Sequence, residues 1–266
     1  MGLNSRHLCA LAAAALLWAP SMAVADDIPL RVGYSDKESA FYLVGNGQEI
    51  PKRPGVAIEM VKQAAEACGV SPEFSRYPGG RLLARVGDNT IDAVALLSFN
   101  RERMALATYP MKGDAADPDF QIASLSYAFY VRSDSPVKWD GMEVTGLTKP
   151  IGANLGWSIV DDLKKEGLDV EPASDTQNNF NKLLGGRIDA VATHVTIGDA
   201  YVAQNGLTGQ IKRLEPPIST KPYYLVLSHA WRDAHGAAAD CLWASIAKQR
   251  RQDMPALLQR YRDTTN

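Results

Sequence analysis

The residues of this 266-residue chain best suited to chemistry are arginines, serines and a histidine at loop positions. Ser98, Phe99, Asn100, Arg101, Glu102 and Arg103 form a polar segment, with Tyr109 and Pro110 after it. A guanidinium is a planar fork of fixed donors able to engage both oxygens of a carboxylate, so Arg103 could meet a ligand. The competing assignment is a surface arginine that caps a helix. Arg81 follows the turn at Gly79 and Gly80, and a second cleft arginine there would call for an anionic ligand. Asn154, Gly156, Trp157 and Ser158 run through a glycine turn into a helix start, where unpaired amides favour anions. Tyr34, Tyr42, Tyr77 and Trp157 could wall a pocket or belong to the core. Tyr34 and Trp157 stay as site candidates because each ends a first strand, the edge where α/β sheets bind ligands. His194 directly follows a buried apolar run. Asp92 and Asp189 resemble a catalytic pair, but they occupy equivalent places in two separate halves, which fits turn-capping better.

Catalytic and metal signatures are missing from the sequence. It has no nucleophile with a base, no Gly-x-Ser-x-Gly elbow and no phosphate loop. Four histidines and three cysteines show no metal-ligand spacing, and neither metal nor cofactor is expected. An enzyme reading would need a general acid, for which Glu59 or His194 could be proposed.

The elements that must position these residues come in two matched sets. Ile91-Asp92-Ala93-Val94-Ala95 recurs as Ile188-Asp189-Ala190-Val191-Ala192, each after an amphipathic stretch. Leu30 to Tyr34 alternates as a strand, and Val56 to Cys68 has helical spacing, ended by Gly69. Pro150 to Asn154 and about Ser158 to Glu166, ended by Gly167, repeat that pair. Strand, helix, strand, helix, strand therefore occurs twice, which predicts an α/β fold of parallel sheets flanked by helices. The extended runs Ile122 to Val131 and Tyr223 to Ser228 read as crossovers between two lobes. Lobe one is expected over residues 26–129, with 225–266 returning to it through helices at about Ala234 to Gln249 and Pro255 to Arg262. Lobe two is expected over 130–224. A cleft at such a hinge is where small ligands sit.

The first residues read as a secretory signal: Arg6 and His7, an apolar run from Leu8 to Ala19, and a small-residue site at Ala23, Val24 and Ala25. Cleavage is expected after Ala25, which places the mature chain in the periplasm. Cys9 lies within the run and cannot become a lipidated N-terminus. No later stretch approaches the roughly 20 apolar residues of a membrane helix. The mature chain has 27 basic and 30 acidic side chains, a net of −3. That balance argues against a nucleic-acid partner, which needs a concentrated basic face. Cys68 and Cys241 remain, and in an oxidising compartment they are expected to pair rather than stay as separate buried thiols.

Taken in order, these segments resemble the family 3 extracellular solute-binding proteins, the periplasmic components of polar amino-acid uptake systems. Ser98 to Arg103 with Tyr109 and Pro110 is similar to that family's Thr-x-x-Arg segment and the aromatic motif after it. Gly152 to Ser158 is similar to its second half-site, and Gly186 to Ala192 to its Gly-x-x-Asp-Ala stretch. The resemblance implies a two-lobed Venus-flytrap fold (periplasmic-binding-protein type II) with two crossover strands as hinge. It also implies a monomer that binds a small metabolite and hands it to an ABC-type permease. It assigns Arg103 to the ligand carboxylate, and Ser98 with the backbone around Ala95 and Leu96 to ligand hydrogen bonds. One position departs from the family: where an Asp usually accepts the ligand ammonium, this chain has His194. A neutral imidazole supplies no full negative charge, so the expected ligand is either an amino acid, with Asp199 as the compensating acid, or an organic anion. The alternatives are a sensory or accessory binding protein and a dehydratase-like enzyme on the same scaffold.

Overall fold

The computed structural model describes residues 27–262. The expected signal segment, with Cys9, lies outside the described residues. Lobe one begins with β1 (Ile28–Ser35), α1 (Val56–Ala67), β2 (Val70–Tyr77), α2 (Gly79–Gly87) and β3 (Ala93–Ser98). A 3-10 turn (Arg101–Ala105) and a small hairpin, β4 (Met111–Lys112) with β5 (Ala115–Ala116), lead into the crossover β6 (Ala123–Arg132). A second hairpin, β7 (Lys138–Trp139) with β8 (Val144–Thr145), comes first in lobe two. There the same order returns as β9 (Ile151–Asn154), α3 (Ser158–Lys165), β10 (Val170–Ala173), α4 (Thr176–Leu184) and β11 (Ala190–His194). The chain continues through α5 (Val195–Gln204) and β12 (Ile211–Arg213) into the second crossover, β13 (Ser219–Leu227). It ends with α6 (His229–Ala234), α7 (Gly236–Gln252) and α8 (Met254–Arg262).

The repeat read from the sequence is a repeat of topology. In lobe one β1 pairs in parallel with both β2 and β3, and in lobe two β9 does so with β10 and β11. The crossovers join the two sets. β6 runs antiparallel to β11 and β13, and β13 runs antiparallel to β3, so one hydrogen-bonded path runs β10-β9-β11-β6-β13-β3-β1-β2.

The inner strands β3 and β11 bury both faces, because alternate side chains point to opposite sides and helices cover each side. In lobe one, Ala93 and Ala95 of β3 face α1 and α7, while Val94 faces α2 through Leu82 and Val86. In lobe two, Ala190 and Ala192 of β11 face Ile159 and Leu163 of α3, and Val191 faces Phe180 and Leu183 of α4. Such two-sided burial explains why these strands read as near-continuous apolar runs.

Cys68, at the end of α1, is bonded to Cys241 in α7 with the Cα atoms 5.9 Å apart. The link ties the returning C-terminal helices to lobe one. The helix expected at about Ala234 to Gln249 is α7, and a short helix that the sequence reading did not give, α6, precedes it from His229. The side chain of Ser228 accepts a hydrogen bond from the Trp231 amide and opens α6 there, and α7 begins only after His235. β13 likewise begins at Ser219, four residues before its apolar half, because its polar residues pair with β6 at the hinge.

Candidate functional site

The site is laid out on one face of the sheet where the crossovers meet the lobes. Ser98 is paired with Tyr223 across β3 and β13, and Tyr127 pairs with Ser219 on one side and His194 on the other. Residues two or four apart share a face, so Ser98, Tyr223, Tyr127 and His194 form a floor that spans both lobes. Above it a pocket is walled by Ser35, Ser39, Ala95 and Leu96 from lobe one and by Gly156, Trp157 and Ser158 from lobe two. Arg103 reaches the same pocket from the 3-10 turn.

Arg103 is 7% exposed. One terminal nitrogen donates to Ser98 Oγ at 2.9 Å and to the Ser98 carbonyl at 3.2 Å, and the Tyr109 hydroxyl donates to that carbonyl at 2.9 Å. Arg103 makes no ion pair among the described residues. A buried charge without a counterion is costly, and an anionic ligand would remove that cost. The surroundings add to the same field. Ser158 is the first residue of α3, whose leading amides have no intrahelical acceptors. Ser98 Oγ donates to Ser158 Oγ at 3.2 Å, joining the lobes across the pocket. Behind Ser158, Lys221 donates to its hydroxyl at 3.0 Å and is ion-paired with Asp162.

The lobe-two side is neutral and aromatic. His194 Nε2 lies 2.7 Å from the Tyr223 hydroxyl, which is 3.0 Å from that of Tyr127. The imidazole stacks on Trp157 with centroids 4.6 Å apart and lies 4.3 Å from the Tyr127 ring. Burial, with a smaller effect from Lys221, pushes the His194 pKa down to about 3, so the ring is neutral at physiological pH. Burial also pushes the Tyr127 phenol up to about 12 and the Tyr223 phenol well above its ordinary value. No anion arises from this side.

The backbone contributes one strained feature. The pairing of β13 with β3 slips between Tyr224 and Val226, so β3 carries an extra residue there, and Leu96 adopts φ +63°. A non-glycine residue in the left-handed region costs on the order of 1–3 kcal/mol and tends to occur at ligand sites. Here the bulge turns Ala95 and Leu96 to the pocket wall.

The structure brings together Ala95, Leu96, Ser98, Arg103, Gly156, Trp157, Ser158 and His194, and it places four other expected residues elsewhere. Tyr34 is fully buried in the lobe-one core, with the Arg76 guanidinium 5.3 Å from its ring centroid; the pleat sends Tyr34 and its neighbour Ser35 to opposite faces, and Ser35 lines the pocket. Tyr77 packs against the α2 core and carries Arg85 over its ring at 4.5 Å. Arg81 is exposed on α2, because Leu82 and Val86 take the inward face. Asn154 is buried but bonds to Thr176 and Asn179, beside a neighbouring cavity. Asp199 accepts from Tyr130 and pairs with Arg213, and Glu59 accepts from Tyr261 on the outer side of lobe one, so neither reaches the pocket. Sequence reasoning missed Tyr127, Tyr223 and Ser39 of the lining, together with Lys221 behind it. The alternation of polar and aromatic residues at Ser219, Lys221 and Tyr223 could have pointed to a hinge face. Among the described residues no His, Cys, Asp and Glu cluster is suited to a metal ion, and no helix is long and apolar enough to cross a membrane.

No family model and no curated protein matches the chain. Solved structures do match. A histidine kinase sensor domain with similarity to periplasmic binding proteins superposes with a TM-score of 0.71 at 16% identity, over 89% of this chain and 97% of that one. An ancestral arginine-binding protein bound to glutamine gives 0.65 at 22% identity, over 88% and 97%. Holo ArgBP from T. maritima gives 0.64 at 16% identity, over 88% and 95%. This likeness and the resemblance carried by the sequence agree on the two-lobed binding-protein fold. Because 1052 solved chains match it, with a sensor domain and amino-acid binders among them, the fold alone does not choose the function.

Proposed function

We propose that this chain is a periplasmic solute-binding protein, exported by a signal cleaved after Ala25, that closes two lobes on a small carboxylate-bearing metabolite. Lobe one comprises residues 26–129 with 225–266, and lobe two residues 130–224. The chain acts as a monomer and passes its ligand to an ABC-type membrane permease. The observation that carries this reading is Arg103, buried at the pocket wall, held by Ser98 and without a carboxylate partner among the described residues. The ligand carboxylate docks on that guanidinium, with the Ser98 and Ser158 hydroxyls and the start of α3 completing its bonds.

Closure follows from differential affinity, because a ligand that touches both lobes binds the closed arrangement better than the open one. The likeness to a histidine kinase sensor domain supports a second reading, in which the closed form is presented to a membrane receptor. Permease and ATPase genes beside this one favour uptake, whereas a neighbouring sensor gene favours the receptor.

The test is thermal melting of the mature chain, stripped of ligand by unfolding and refolding, against amino acids, organic acids, amines and sugars. Ligand at about a thousand times its Kd stabilises by roughly 4 kcal/mol and raises the midpoint by several degrees. A carboxylate is expected to give the shift, and Arg103→Ala to abolish it while leaving the circular dichroism unchanged. Retained affinity in Arg103→Ala, or a shift given only by amines or sugars, overturns the proposal.

A further inference from the structure

Resting on that reading, we infer that the ligand carries a carboxylate but no cationic centre, so that this cleft selects organic acids over the amino acids with the same carbon skeleton. A charged ammonium drawn into a closed cleft needs a carboxylate or several oriented acceptors to replace its water. Among the described residues the only carboxylate lining the pocket is that of Glu38, which is exposed. Behind the wall, Asp162 is already neutralised by Lys221, and Asp36, between the lining residues Ser35 and Lys37, does not itself line the pocket.

The positive charges are not scarce. Arg103 and Lys37 both line the pocket, against the single carboxylate of Glu38 among the described residues. A ligand cation would therefore enter a field that already repels it.

His194 occupies the place across the floor from Arg103 where a counter-charge could stand. It is 4% exposed and neutral, and its Nε2 is taken by the Tyr223 hydroxyl. The aromatic rings do not substitute for an acid. An aromatic cage holds a cation through open ring faces, whereas the His194 ring lies against Trp157 and Tyr127, and Tyr127 already faces Lys221. What these rings offer is an apolar edge beside Leu96.

The experiment is isothermal titration of the stripped mature protein with matched series. Propionate, lactate and pyruvate are set against alanine, and 3-phenylpropionate and phenyllactate against phenylalanine. Arginine, glutamine and glutamate are added as amino acids, and glycine betaine as a carboxylate bearing a quaternary cation. Within any skeleton that binds, the amine-free acid is expected to bind at least tenfold tighter than its amino counterpart. An amino acid or betaine that binds as tightly as the plain acids overturns the inference. If that binding is still lost in Arg103→Ala, the carboxylate-binding proposal survives without it. Failure of every carboxylate to bind, with or without an ammonium group, overturns both.

Discussion

β3 in lobe one and β11 in lobe two enter the sheet in the same way and leave it differently. Each is preceded by an aspartate that ties the strand entry to a neighbouring segment. Asp92 accepts from the Arg31 amide at 2.8 Å and from its guanidinium at 2.7 and 2.9 Å, while one oxygen of Asp189 takes the Thr148 amide, the Thr148 hydroxyl and the Lys149 amide at 2.7 to 2.9 Å. Beyond the shared Ala-Val-Ala the copies part. β3 bulges at Leu96, reaches Ser98 and turns back so that Arg103 enters the pocket, whereas β11 stops at His194 and passes directly into α5. The repeated residues build the two scaffolds, and the chemistry lies where the repeat ends: one copy ends in a buried cation, the other in a buried neutral ring.

The first way to break this comparison is at the aspartates. Burial pushes each carboxyl pKa up, but the hydrogen bonds outweigh it and hold both below their ordinary value. Asp92→Ala and Asp189→Ala are each expected to destabilise by about 1–3 kcal/mol in urea melts. Salt separates them. The Asp92 loss should shrink at 1 M NaCl because much of it is the ion pair with half-exposed Arg31, and the Asp189 loss should persist because two of its three donors are uncharged amides.

The second test uses pH and concerns His194 alone. Its folded pKa of about 3 lies below the 6.5 of the unfolded chain, so below pH 6.5 the unfolded state takes up the proton first. The stabilisation from neutral His194 is complete above pH 6.5 and is lost as pH falls toward 3. From pH 6.5 to 5, before most carboxylates titrate, the loss should reach about 2 kcal/mol. His194→Gln should flatten that part of the curve; an unchanged slope in the variant would mean that the ring is not held neutral by burial.

How much of this could be read from the sequence follows the same division. The two β-α-β-α-β halves were legible because β3 and β11 are buried on both faces, β1 alternates, and glycines at 69 and 167 follow their first helices. Arg103, Ser98 and Ser158 were legible because they stand in a motif of fixed order. Residues placed by tertiary register were not. Tyr127 and Tyr223 meet His194 only because β6 lies between β11 and β13, and no local pattern states that neighbourhood. Tyr34 was misplaced by one residue of pleat, and Arg81 by a single helical position. The bulge at Leu96 had no signal at all, since leucine is not a residue expected at positive φ.

A smaller effect is expected where the lobes meet at the cleft mouth. Gly156 has φ +80°, and a Cβ built on it would stand 2.9 Å from the Gly80 amide nitrogen of lobe one. Gly156→Ala therefore strains its own lobe by roughly 1 kcal/mol and pushes against backbone that cannot swing aside. Only the second effect depends on closure. Affinity should fall about tenfold, close to 1.4 kcal/mol, through a faster off-rate, while the melting point of the ligand-free protein drops only slightly.

The ion pair that also joins the lobes, Lys165 to Glu102 at 2.7 Å, should matter least. Both side chains are more than half exposed, so water and salt already screen the pair, and holding two long side chains together costs rotamer freedom. Glu102→Gln is expected to weaken ligand binding by less than threefold at low ionic strength and not measurably at 0.15 M salt. Glu102 lies one residue from Arg103 on the same turn. A loss from Glu102→Gln as large as that from Gly156→Ala would therefore mean that the turn carrying Arg103 is positioned by its partner lobe, and that lobe one does not hold its half of the site ready before closure.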